Sequence, residues 1–314
     1  MSQEVLRAFP DKATPLVRYG LLFTEACSKH VQEKFKASRI YLITGKTPTN
    51  NVHAQGELVK LPRFGGDGTA SQLPANPPTI PIICIPTTLS GGEYSTYAGA
   101  VDHYIETLAS LHSMPEVDES VTKSLKCLIP GLLNTKLNAG GEGGREEEVK
   151  AREECQIGAV HAILLLHRKV SCGASHGIRH MLGPMFHVGH GETSCILLPA
   201  ACKFNSLHGG PEILARQQLM KDALWSVPEA KNLFGEKGLG REVRVDQLLD
   251  VVIRELGLKR RLSEVGVVER MDFERLADAS LRDPFLVTNV VIITTNEHVL
   301  EISEVCASGM IFRP

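Results

Sequence analysis

The sequence predicts an α/β N-terminal part over residues 1–100 and a larger all-helical part over residues 101–314. Three observations lead there. Two short apolar runs rich in β-branched residues, 39–44 (RIYLIT) and 80–86 (IPIICIP), both lie before residue 90. From about residue 101 the texture turns helical, with breakers between the segments. A length of 314 residues suits two domains at roughly 150 residues each.

In chain order, residues 17–35 (VRYGLLFTEACSKHVQEKF) carry mixed helical periodicity and are expected to form a helix. The run at 39–44 reads as a buried strand, followed by Gly45-Lys46-Thr47 where a βα turn would sit. Residues 46–79 lose all pattern, with Pro, Gly, Asn and Thr dominating. The second strand, 80–86, ends in the small-residue turn Thr87-Thr88-Leu89-Ser90-Gly91-Gly92-Glu93. Helices are expected over 101–111, 120–134, 150–168, 172–183, 193–206, 211–225, 245–256 and 272–281, and the Gly-rich acidic stretch 139–148 as an exposed loop. Two strands do not complete a doubly wound sheet, so the N-terminal part reads as truncated.

Charge gives no footprint for nucleic acid or an anionic membrane: 34 basic and 36 acidic residues leave a formal net charge of −2. No apolar run approaches the roughly 20 residues that span a bilayer, and the first residues, MSQEVLRAFPDKATPL, lack the basic start and apolar stretch of a signal peptide. Eight dispersed cysteines with no C-x-x-C pair suit reduced, mostly buried thiols. A cytoplasmic protein with no nucleic-acid or membrane partner is expected.

Histidine is the residue type whose placement carries information. His176, His180, His187 and His190 fall within 15 residues, where even placement of the chain's twelve histidines would give about 0.6. His176 and His180 are i, i+4 and share a helix face. His176 and His190 would stand roughly 21 Å apart on a straight helix. Gly183-Pro184 is expected to break that helix and let His190 return, with Gly189 and Gly191 permitting a tight turn. Neutral imidazoles around an open position suit a catalytic Zn²⁺ or Fe²⁺. A histidine-rich core segment with its rings bonded to backbone fits the same spacing.

These residues also carry a resemblance. Gly173-Ala-Ser-His-Gly-Ile-Arg-His180-Met-Leu-Gly183, then His190-Gly-Glu-Thr-Ser-Cys195-Ile-Leu-Leu-Pro199, closing on Lys203-Phe-Asn205, resembles the iron-containing (group III) alcohol dehydrogenase family, in its maleylacetate reductase-like branch. Pro86-Thr-Thr-Leu-Ser-Gly-Gly-Glu93 with Tyr97-Ala-Gly99 is similar to the branch's nucleotide-site loop. Val101-Asp102-His103 with Glu106-Thr-Leu108 is similar to its metal helix, and Leu256-Gly-Leu258, Leu262-Ser-Glu-Val-Gly266 and Thr288-Asn289 to its tail. The resemblance implies a dehydroquinate synthase-like, iron-alcohol-dehydrogenase architecture with a truncated Rossmann-like first part. It implies metal-ligand positions at His103, His176 and His190, an active-site histidine at His180, and a dinucleotide loop at Thr87, Thr88 and Ser90. The implied cofactors are NAD(P) and Fe²⁺ or Zn²⁺, and a homodimer is compatible with it. His187 takes no role and is expected at the surface; Asp102 is expected to be structural.

The chain also departs from the family. Members carry a Gly-Gly-Gly-Ser turn followed by Asp and Lys that opens a pyrophosphate-binding helix. Here the only Gly-rich candidate is Gly65-Gly66-Asp67-Gly68-Thr69, which follows no strand and precedes Pro-rich coil. The long family segment between the nucleotide loop and the metal helix is missing, and Gly99 stands where members place a ligating aspartate. The tail's Asn-Pro pattern appears as Asn289-Val290. The function the resemblance implies is hydride transfer between NAD(P) and a small-molecule substrate at a carbonyl, alcohol or maleylacetate-like enone carbon, with a metal polarising the substrate oxygen. The rival is a non-redox descendant (an isomerase, dehydratase or cyclase) using the histidine pocket for proton transfer, or an inactive homologue.

Overall fold

The structure, a computed structural model, describes residues 4–7, 16–19, 23–36, 101–138, 145–166 and 170–308. The strands expected at 39–44 and 80–86, the loop holding Thr87, Thr88 and Ser90, and the Gly-rich candidate at 65–69 lie outside the described residues. The chain divides into two compact units, Met1–Val5 with Arg18–Ile85, and Leu6–Val17 with Pro86–Pro314.

Near the N-terminus, β1 (Glu4–Arg7) and β2 (Leu16–Tyr19) pair as a two-stranded sheet. Helix α1 (Phe23–Lys29) follows and loosens into a π-helical turn at His30–Lys34. The single helix expected over 17–35 is thus corrected. Val17 and Tyr19 are strand formers and take the extended conformation, and the helix begins only at Phe23.

The second unit holds α2 (Val101–Ala109), α3 (Pro115–Asn138), α4 (Arg145–Leu166), α5 (Ala174–Phe186), α6 (His190–His208), α7 (Pro211–Trp225), α8 (Pro228–Glu236), α9 (Val245–Glu255), α10 (Arg270–Ser280), the one-turn α11 (Pro284–Val287) and α12 (Asn296–Ser308). Among the described residues from 101 to 308 every regular element is helical, as the sequence predicts for this part. None of the described helices is long and apolar enough to cross a membrane.

Two of the expected boundaries move for identifiable reasons. Residues 145–148, expected in the acidic loop, form the first turn of α4 instead. Glu146, Glu147 and Glu148 there complement the positive end of the helix dipole. The break expected at Gly183-Pro184 is absent, because α5 continues to Phe186. Pro184 forfeits one hydrogen bond close to the end of a helix already held by the burial of Ile178 and Leu182. The chain turns at His187 instead. Its φ of 55° is left-handed, and its N–H bonds to the Gly183 carbonyl.

Two apolar cores organise the helical unit. One gathers Tyr104, Leu108, Leu125, Leu128, Trp225, Phe234 and Leu248. The other gathers Ile178, Leu182, Ile196, Leu197, Phe204, Leu276 and Ile302. Helix α6 serves both, with Leu198 and Cys202 on the first side and Leu197, Ala201 and Phe204 on the second. Such a helix is apolar around most of its circumference because it is surrounded. Helix α2 is buried along its length from Asp102 onward. Its C-terminus is held by Arg216, which donates to the Leu108 carbonyl and bonds both Asp118 carboxylate oxygens at 2.7 Å. A buried helix carrying Asp102, His103 and Glu106 must find partners for all three, and those partners build the site.

Candidate metal and active site

The site lies where α2 meets the N-terminus of α5. The first N–H groups of a helix have no intrahelical acceptors, and here side chains from elsewhere supply them. Glu106 accepts from Gly173 N and Ser175 N, each at 2.9 Å. Asn289 Oδ1 accepts from Ala174 N at 3.0 Å. Asn289 in turn donates to Asn205 Oδ1 at 2.8 Å and to the Val291 carbonyl at 2.7 Å. Gly173 is glycine because the amide leaves no room: a Cβ there would stand 2.5 Å from Asn289 Oδ1.

Glu106 also lies 2.7 Å from Nδ1 of His176. An ionised carboxylate only accepts, so Nδ1 carries a proton, and it is the neutral ring in this tautomer that offers its Nε2 lone pair. That Nε2 is buried without a hydrogen-bond partner, and so is Nδ1 of His103. The two rings are 1–2% exposed, with centroids 4.4 Å apart. Burial, then the neighbours His176, Arg179, His190 and His180, push the His103 pKa down to about 2. Its ring is therefore neutral, the form that ligates.

Asp102 is buried and occupied. Ser175 Oγ donates to Oδ1 at 2.9 Å, while Arg179 Nη1 at 3.0 Å and Ser194 Oγ at 2.5 Å donate to Oδ2. Burial works to raise its pKa, but His176, Arg179 and the two hydroxyls win, and the net direction is down. Through Arg179 and Ser194 this carboxylate ties α5 to the first turns of α6.

His180 stands one turn past His176, its ring centroid 6.3 Å away and its side chain 32% exposed. Nδ1 lies 2.8 Å from Asp283 Oδ2. Asp283 also caps α11 by accepting from Phe285 N at 2.9 Å. The Phe285 ring sits about equally from both histidines, at 6.0 and 5.7 Å. His190 is exposed as the first residue of α6, near enough for its charge to bear on His103. His187 is exposed at the end of α5.

Among the described residues, one set of donors lies close enough to share a metal ion. One atom each of His103, Cys172 and His176 all fall within 4.8 Å of one another. Of the three histidines expected as ligands, His103 and His176 are thus brought together, and the third member of the tight set is Cys172. Burial, with Glu106 and Asp102 adding, pushes the Cys172 thiol pKa up. Sequence reasoning missed Glu106, Asp283 and Asn289 in these roles, since their partners lie 67 to 115 residues away. Cys172 did offer a signal, standing four residues before His176 as His176 stands four before His180.

Residues 95–306 match the Fe-containing alcohol dehydrogenase family, C-terminal. The chain belongs to that family. Dehydrogenase ALT3 of Alternaria alternata is 30% identical over 281 residues, 70% of each chain. Lactaldehyde reductase of Escherichia coli (strain K12) is 25% identical over 290 residues, 79% of this chain and 71% of its own. Among solved structures, maleylacetate reductase from Rhizobium sp. strain MTP-10005 superposes with a TM-score of 0.50 at 18% identity, over 68% of this chain and 51% of its own. That likeness is one of fold, and the chain spans about half the length of that solved structure.

Proposed function

We propose that this chain is a metal-dependent oxidoreductase of the iron-containing alcohol dehydrogenase type. It moves a hydride between NAD(P) and a small carbonyl, alcohol or maleylacetate-like enone substrate. The observation that carries the reading is the pair of buried, unpartnered ring nitrogens, His103 Nδ1 and His176 Nε2. Leaving a buried polar atom unbonded costs on the order of 1–3 kcal/mol, and a cation between these rings removes that cost. The donor chemistry fits Fe²⁺ or Zn²⁺. His103 and His176 would hold it, with His190 approaching from the start of α6. A divalent ion bound there supplies Lewis acidity toward a substrate oxygen.

The other residues set up the reaction. Glu106 fixes the tautomer and plane of His176. Asp102 bonds Arg179 and Ser194 and so sets the start of α6, hence His190. Asp283 orients His180, whose second nitrogen holds or moves a proton beside the substrate. Phe285 packs against both rings and limits water around them. The nucleotide-side residues Thr87, Thr88 and Ser90 keep the role the family resemblance gives them. A cytoplasmic location and a homodimer belong to the same reading.

The sequence lacks the family's phosphate-binding turn, and this favours a second reading, a non-redox enzyme using His180 for proton transfer. Calorimetric titration with NADH and NADPH separates the two, joined to NADH consumption with a panel of aldehydes and maleylacetate on metal-loaded protein. Binding in the high-micromolar range with measurable turnover is expected. Losing two or three charge-assisted phosphate contacts of roughly 1.5–3 kcal/mol each weakens binding by a few orders of magnitude. His180→Ala is expected to keep the metal and lose roughly 10²–10⁴-fold in rate. No heat with either nucleotide and no turnover would retire the hydride-transfer reading.

A further inference from the structure

Resting on the metal-site reading above, we propose that Cys172 is itself a ligand. Its Sγ joins one ring nitrogen each of His103 and His176 in a sulfur–nitrogen–nitrogen set that favours Zn²⁺ over Fe²⁺. The three donors already lie within 4.8 Å of one another. In a tetrahedral zinc site with Zn–S about 2.3 Å and Zn–N about 2.0–2.1 Å, such atoms stand roughly 3.5 Å apart. Small side-chain rotations close the difference. All three side chains are buried, and two of them present unpartnered nitrogens. Bulk water therefore does not meet these donors.

The neighbouring carboxylates are committed elsewhere. Glu106 serves two backbone N–H groups and His176 Nδ1. Asp102 serves Ser175, Arg179 and Ser194. The thiol is the donor left to this cluster that can become anionic, and the peptide group that follows it is held at both its polar atoms. Thr288 Oγ1 donates to the Cys172 carbonyl at 2.7 Å, and the next residue's N–H is held by Glu106. On binding, one proton leaves the thiol for solvent per ion taken up, the thiolate stays on the ion, and the site gains one net positive charge. Thiolate selects the softer metal over one that prefers oxygen.

Metal-stripped full-length protein titrated with Co²⁺, followed by competition with Zn²⁺, tests the assignment by absorption spectroscopy. The wild type is expected to show an intense thiolate-to-cobalt charge-transfer band. Cys172→Ser is expected to lose that band and to bind Co²⁺ and Zn²⁺ more weakly by at least the roughly 10–100-fold that loss of a ligand's outer partner costs. A bound cobalt ion without the band, or a Cys172→Ser protein with band and affinity unchanged, overturns the assignment and leaves the metal site standing. A wild type that takes up no cobalt overturns both. Because the band is read on the wild type, the result survives even if the variant folds poorly.

Discussion

The Glu106 carboxylate accepts from Gly173 N and Ser175 N and engages His176 Nδ1, so it caps a helix and orients the His176 ring with the same two oxygens. Replacing it with glutamine separates charge from shape. The amide has one acceptor oxygen and presents an NH₂ toward groups that themselves donate. Glu106→Gln is expected to cost roughly 1.5–3 kcal/mol of stability and to weaken metal binding, read from urea midpoints and a metal titration on the same preparation. Unchanged values in both would mean the carboxylate does not organise the site. At this scale the sequence was informative about residue types and poor about partners. His103 and His176 were legible as a pair only through the family motif, being 73 residues apart. Glu106 stood inside a quoted motif, yet nothing local showed that its acceptors would be spent on a helix that starts 68 residues later.

Among the elements, the crossing of α3 and α4 shows how closely two helices can approach. A Cβ on Gly131 would meet Cys155 N and Sγ at 2.9 Å and the Ala151 carbonyl at 3.0 Å. Gly235, exposed in α8, has open space around it. Alanine gains up to about 1 kcal/mol over glycine in a helix, while overpacking costs about 1–3 kcal/mol. Gly131→Ala is therefore expected to destabilise and Gly235→Ala to stabilise, compared by thermal or urea unfolding. Equal signs for the two would show that the crossing is looser than described. Most helices of this unit were readable from breakers and periodicity, since tertiary packing and local pattern agree there. Helices α8 and α12, and the one-turn α11, were not. Helix α8 is nine residues long and α11 only four, and α12 follows the β-branched run VVIITT at 290–295, which reads locally as strand. The continuation of α5 past Pro184 was unreadable because core burial, a non-local term, outweighs one lost hydrogen bond.

At the scale of the whole molecule, the helical unit places two histidine rings, a thiol and two committed carboxylates between its apolar cores. Buried ionisable groups in such numbers are costly unless paired or ligated, and the pairings account for Asp102 and Glu106 but not for the two ring nitrogens. On the reading proposed above, a divalent ion belongs there. Elemental analysis of purified wild type beside His176→Ala and His103→Ala, each checked for folding by circular dichroism, tests it most directly. About one divalent transition-metal ion per chain in the wild type and a large loss in both variants is the result expected from this geometry. Metal content that is equal in all three folded proteins, or absent from the wild type after supplementation with Zn²⁺ and Fe²⁺, would contradict it.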